Sequence, residues 1–252
     1  MKGEPPSTAA RFQGSDALVQ RSVRDGVGLV TLNRPEKRNA MTPEMFDLFN
    51  AAMRSHQSDP AVNAILIVAS GGAFCAGGDL SMIAEAKRGA ISSDNLDLDF
   101  YQPGVITKPI VCGVVGACVG EGVAILLASD LVICGTSARF ALPEVSLGIP
   151  PVDIPLLAAR RLNSIHMLEI LLTGAWKDAT WADKVGLVNE VVADDAVAET
   201  AFDLARRVAA APAPAAALVK FLIHAAATSS DAPALRRQGA AARTEIQENL
   251  KG

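Results

Sequence analysis

Positive charge is not in excess. Against 27 Asp and Glu stand 23 Lys and Arg, for a net charge of −4, so no basic surface awaits a phosphate backbone and nucleic acid is not an expected partner. Paired cysteines are missing. Cys75, Cys112, Cys118 and Cys134 form no CxxC pair and three lie in apolar runs, which predicts reduced core thiols in a cytosolic protein. Long apolar runs are missing. The longest, around residues 123–128, is far too short for a bilayer. Residues 1–14 are polar with Pro5-Pro6 and no apolar core segment, so no signal peptide is read and a cytoplasmic location is expected.

Several chemistries lack their motifs. There is no GxxxxGK[ST] loop, no HExxH, no clustered His and Cys, and no GxSxG elbow, so neither a nucleoside triphosphatase, a metal centre nor a serine hydrolase is expected. His56, His166 and His224 are scattered and read as residues of helix surfaces or edges. Gly120-Glu121-Gly122 begins like a dinucleotide fingerprint, but Ile125 stands where the third glycine belongs. A lone GxG is weak support for a nicotinamide enzyme.

What is present is half a chain of hydrophobic residues, enough for one large domain or a core with a small appendage. Residues 1–16 read as a disordered tail. Residues 18–23 and 27–32 read as a hairpin around Asp25-Gly26. Thr42 and Pro43 open a helix, with Phe46, Phe49, Ala52 and Met53 on one face. Residues 64–69 read as a buried strand, followed by the glycine loop Gly71-Gly72-Ala73-Phe74-Cys75-Ala76-Gly77-Gly78-Asp79. A second strand, 110–115, leads to a second glycine loop at 116–122 and an apolar helix over 123–129. A third strand, 131–134, follows. Repeated strand, loop and helix predict stacked α/β units with ligands at strand ends. A helix over 164–172, a short helix over 178–186 and a strand over 187–192 complete the core. Residues 195–252 read as alanine-rich helices, broken near Pro212 and Ser229, that pack on the core or on another subunit.

The chemistry concentrates in the two loops and in Glu144, a carboxylate on a chain break. Two loop N–H groups converging on one oxygen make an oxyanion hole, and a carboxylate beside it moves a proton. That pairing suits an enolate of a thioester. Each piece alone also has a plain structural reading, since glycine loops turn chains and surface glutamates are solvated.

Four motifs in order then support a resemblance. Leu32-Asn33-Arg34-Pro35-Glu36-Lys37-Arg38-Asn39-Ala40-Met41, Phe74-Cys75-Ala76-Gly77-Gly78-Asp79-Leu80, Lys108-Pro109 with 116–130, and Pro143-Glu144 with Leu147-Gly148 resemble the crotonase (enoyl-CoA hydratase/isomerase) family. The resemblance implies an α/β spiral of β-β-α units over 17–194, with a C-terminal helical segment over 195–252 that builds trimers, often paired as hexamers. It implies an acyl-CoA thioester substrate, with coenzyme A entering as part of it and no permanent cofactor. The family's oxyanion donors fall on the N–H groups of Gly78 and Glu121, and Glu144 matches its acid–base glutamate. Arg38, Ala40, Ala76, Gly77, Gly78, Asp79, Leu80 and Glu121 are the implied substrate-binding residues.

Departures shape the expected activity. Hydratases of the family use two glutamates, and the first falls on Ala124. One carboxylate suffices to shuttle a proton between two carbons, so 3-enoyl to 2-enoyl isomerisation is expected, with hydration, hydration-lysis or bare acyl-CoA binding as alternatives. Asp153 is a candidate second acid, one residue beyond the aspartate of the family's dienoyl-CoA isomerases. Glu121 is expected to favour its helix dipole and to turn its side chain away from the hole. The chain stops at Lys251-Gly252, where many relatives carry a further helix that touches CoA.

Overall fold

A computed structural model describes residues 17–79, 81, 84, 88, 98–102, 104–149, 151–227, 229 and 231–249. The expected tail at 1–16, Leu80 and most of 85–104 lie outside the described residues.

The hairpin forms as its sequence dictates. Strands β1 (Val19–Arg24) and β2 (Val27–Leu32) pair antiparallel, and the turn between them sets both Asp25 and Gly26 at positive φ, as a two-residue turn matched to strand twist requires. Helix α1 (Pro43–Ser58) starts where Thr42 Oγ1 accepts from Met45 N–H. It buries Phe46, Phe49, Ala52 and Met53 against β1 and β2.

Six strands then make one sheet in the order β1-β2-β3-β5-β7-β10, with β3 (Ala64–Ala69), β5 (Ile110–Val114), β7 (Leu131–Gly135) and β10 (Glu190–Val192) parallel to β2. Both faces are covered, so β3 is apolar throughout rather than alternating. Ile65 and Ile67 join the core under α1 and α2 (Glu121–Ala128), while Leu66 and Val68 face Ala201, Phe202 and Ala205 of α6 (Val197–Ala209).

After each central strand the chain turns a corner into a second, smaller sheet, in the order β4-β6-β8-β9. Its members are β4 (Ala73–Cys75), β6 (Ala117–Val119), β8 (Arg139–Ala141) and β9 (Lys177–Asp178). The sequence reads β4 and β6 as glycine loops; each is instead a three-residue strand between glycine-bearing corners. The passage from large sheet to small sheet to helix is the expected β-β-α turn, an α/β spiral. Helix α3 (Asp153–Ala159), α4 (Ser164–Thr173) and α5 (Ala179–Lys184) pack beside it, and α7 (Ala213–Ala226) and α8 (Ala232–Asn249) close the described chain.

One local expectation changes. His56 is fully buried in α1 rather than at a surface or edge, with Nε2 against Leu29 O at 3.1 Å and its ring over Gly28. Burial holds it below the usual imidazole range. The four cysteines are buried and unpaired, as expected.

Candidate active site

Strands β4, β6 and β8 run parallel, with Cys75 beside Cys118 and Val119 beside Ala141. Their carboxyl ends therefore lie level, and the residues leaving those ends meet. They are Ala76-Gly77-Gly78, Gly120-Glu121 and Pro143-Glu144. A side chain on Gly120 would put its Cβ 2.4 Å from Glu144 Oε1 and 3.6 Å from Gly77 Cα. Only a residue without Cβ allows this approach, and Gly120 also holds φ of +51°.

The first loop is clasped from below. Met41 N–H donates to Gly77 O and Met41 O accepts from Asp79 N–H, each at 2.8 Å. These bonds straddle Gly78, whose own N–H takes no part in them. Asn39, fully buried at φ +54°, accepts from Arg34 N–H and donates to Ser70 O and Ala73 O. Ala76 N–H donates to Arg38 O. Asp79 receives hydrogen bonds from Ser81 and from Arg34 Nη1 at 2.7 Å, which hold its carboxyl down at about 2. Arg38 is exposed and Ala40 and Ala76 half-buried beside it; Leu80 lies outside the described residues.

The second loop opens α2. Gly120 O accepts from Val123 and Ala124 N–H, which leaves Glu121 in the first turn, ahead of the earliest of these bonds. Ala124 is fully buried. The Glu121 carboxylate does not simply face solvent near the helix start. Its Oε1 accepts from Tyr101 Oη at 2.5 Å. Burial, followed by the Glu121 charge, pushes the Tyr101 phenol well above its ordinary value, with a smaller push from Asp153. Asp153 is the half-buried first residue of α3.

Glu144 precedes a turn of 3-10 helix over Val145–Leu147. Its Oε2 is buried with no hydrogen-bond partner among the described residues. Desolvation raises its pKa above 4.5, which suits a carboxylate that must both take and return a proton. Gly78, Glu121 and Glu144 are thus gathered at one place. Asp153 acts on Tyr101 as one of its weaker electrostatic neighbours.

Tyr101, the only tyrosine in the chain, escaped sequence reasoning because it sits in a poorly patterned stretch. Arg34 and Asn39 lie in the 32–41 motif, but their hydrogen bonds to Asp79, Ser70 and Ala73 join residues more than 30 apart and leave no local signal. A cavity of about 740 Å³ lies under α7, walled by Phe100, Tyr101, Ile106 and Leu157. Gly78, Glu121 and Glu144 do not line it.

Two glycine-bearing loops meet one desolvated carboxylate with an unpartnered oxygen at these strand ends, which defines a class of site able to move a proton. The enoyl-CoA hydratase/isomerase family model matches residues 22–251, and the chain belongs to that family of acyl-CoA enzymes. It is 32% identical over 203 residues to the "Probable enoyl-CoA hydratase" of Rhizobium meliloti, covering 79% of this chain and 77% of the relative. It is 31% identical over 220 residues to the 1,2-epoxyphenylacetyl-CoA isomerase of Escherichia coli, covering 84% of each. A solved Mycobacterium abscessus structure described as an enoyl-CoA hydratase/isomerase superposes with a TM-score of 0.84 at 29% identity, covering 91% of both chains. The spiral is accordingly the crotonase fold. Among the described residues no single helix is long and apolar enough to cross a membrane.

Proposed function

We propose that this acyl-CoA enzyme moves the double bond of a 3-enoyl-CoA to the 2-position through a thioester enolate. The Glu144 carboxylate takes the proton from C2, the freed pair forms C1=C2 as charge moves onto the thioester oxygen, and C2=C3 replaces C3=C4 only when C4 is protonated and the carbonyl reforms. The N–H groups of Gly78 and Glu121 stabilise that oxygen. Glu144 then returns the same proton to C4, so nothing is added or lost. Arg38, Ala40, Ala76, Gly77, Asp79 and Leu80 surround the CoA portion, with Arg38 toward its nucleotide end. No permanent cofactor is needed.

The observation that carries this reading is the state of Glu144. It is desolvated, has one unpartnered oxygen, and touches the loop that bears Glu121, while position 124 offers only a buried methyl. Hydration of a 2-enoyl-CoA, alone or followed by lysis, is the second reading. The Rhizobium relative's name and the carboxylate of Glu121 favour it. Separate incubation with 3-enoyl-CoA and 2-enoyl-CoA decides. Conversion of the 3-enoyl ester without loss of the 2-enoyl ester to a 3-hydroxyacyl product is expected; rapid hydration without isomerisation would overturn the reading.

The chain is read as a cytoplasmic homotrimer or paired trimer. Leu156, Ile165, Leu168, Leu172 and Trp176 on and after α3 and α4 are all more than half exposed, an apolar surface suited to contact between copies. Sedimentation at micromolar concentration checks the assembly, and a monomer would refute it.

A further inference from the structure

A carboxylate at position 121 is an awkward neighbour for an oxyanion. The residue that would offer its N–H to a developing negative charge also carries a negative side chain. At several ångströms in a half-dry site, that repulsion opposes the stabilisation the N–H supplies.

The Tyr101–Glu121 contact resolves the conflict. We propose that Tyr101 is a positioning residue that holds the Glu121 carboxylate aside and disperses its charge, so that the Glu121 N–H can serve an oxyanion. The inference rests on the oxyanion reading above but not on which reaction follows.

Three observations carry it. The phenol donates to Glu121 Oε1 at 2.5 Å, a short bond of the charge-assisted kind. Tyr101 belongs to a different element, the 3-10 turn Asp99–Tyr101, which is anchored apart from α2. There Phe100 packs on Phe49, Asp99 N–H donates to Asn50 Oδ1, and the Asp99 carboxylate pairs with Arg54. The carboxylate is thus tied to α1 through a fixed chain of contacts. Finally, the phenol is buried among acidic groups, Glu121 foremost with Cys75 and Asp153 behind it, and these hold its proton on. The phenol stays protonated near neutral pH and remains a donor throughout.

The consequence is a specific pattern of coupling. Removing the Tyr101 hydroxyl should harm the site only while residue 121 is charged. The direct probe is a bound 3-ketoacyl-CoA, whose ionisation to an enolate is followed by ultraviolet absorbance in each variant. Tyr101→Phe should raise the pH of that ionisation by about one unit, equivalent to about tenfold weaker enolate stabilisation. Glu121→Gln in the Tyr101→Phe background should bring it back, since the backbone N–H is retained. With a turned-over enoyl-CoA the same variants should lower and then restore kcat, with KM nearly constant.

A role confined to packing predicts no such rescue. If the double variant ionises the ligand no better than Tyr101→Phe, or if Tyr101→Phe leaves the ionisation in place, the inference is overturned. Thermal melting accompanies each variant. Should Tyr101→Phe alone fail to fold, Glu121→Gln is compared with the double variant: equal ionisation supports the inference, and a tenfold gap refutes it. A wild-type protein that binds the ligand and favours its enolate but does not isomerise 3-enoyl-CoA refutes only the proposed reaction. One that leaves the ligand's ionisation unchanged from water refutes the oxyanion reading and this inference together.

Discussion

The two sheets of this protein divide its labour. The six-stranded sheet has central strands of five or six residues that are apolar on both faces, covered by α1 and α2 on one side and α6 on the other. The small sheet has strands of two or three residues, yet Gly78, Glu121 and Glu144 all leave from its strand ends. Stability therefore resides where the apolar area is, and the proposed chemistry where the backbone is cut short and turned. Parallel register is what turns three weak strands into one site, because it brings three successive chain exits to the same level.

The sharpest way to separate the sheets is at the end of β8. Glu144→Gln keeps the shape and removes the proton-carrying group, so kcat should fall by about 10²–10⁴. In the wild type, kcat/KM should drop on acidification through a pKa above 4.5, because the base must be ionised. Stability should move the other way. A carboxyl whose pKa is raised by folding stabilises fully below its unfolded pKa and loses that contribution as pH rises through the folded value. At pH 7 the ionised, desolvated Glu144 thus opposes folding, and Glu144→Gln should melt higher than the wild type, with the gap closing toward pH 4. A melting point unchanged or lower at neutral pH would contradict the buried, unpartnered state of Oε2.

The large sheet should give the reverse result. Ile67→Ala in β3 removes a fully buried side chain from the core beneath α1 and α2 and should cost about 2–5 kcal/mol in denaturant unfolding. The remaining folded protein should turn over substrate at an unchanged kcat. A large loss of kcat per folded molecule would mean that the two sheets are not separable in this way.

Much of the large sheet was legible because its signals are local. Asp25-Gly26, the Thr42-Pro43 helix start and the apolar run of β3 each announce themselves within a few residues. The family motifs exposed Glu144 and the two loops for the same reason. The short strands were not legible: Ala73-Phe74-Cys75 and Ala117-Cys118-Val119 lie between glycines, and only pairing with each other and with β8 makes them strands. Helix α3 was hidden by Pro155 inside it and by Pro150-Pro151 before it. His56 was misplaced because nothing local says that Gly28 leaves room for its ring. Tyr101–Glu121 joins residues 20 apart in sequence, through a segment without periodicity, and no pattern of either residue alone foretells the pair.

The mildest test concerns the joint between the sheets. Asn39 holds the corner between β3 and β4 through Ser70 O and Ala73 O, while its Oδ1 fixes Arg34 N–H, so it belongs to both regions at once. Its positive φ is tolerated by asparagine and freely adopted by glycine. Asn39→Gly therefore deletes the three side-chain hydrogen bonds without backbone strain. A net loss of about 1–3 kcal/mol in unfolding is expected, since hydrogen bonds contribute modestly but buried carbonyls left unpaired are costly. If the joint only steadies the loop that carries Arg38 and Ala76, KM for the thioester should rise a few-fold while kcat stays near the wild-type value. A fall in kcat with KM unchanged would instead place Asn39 in the alignment of Gly78. The two sheets would then be coupled through this one side chain.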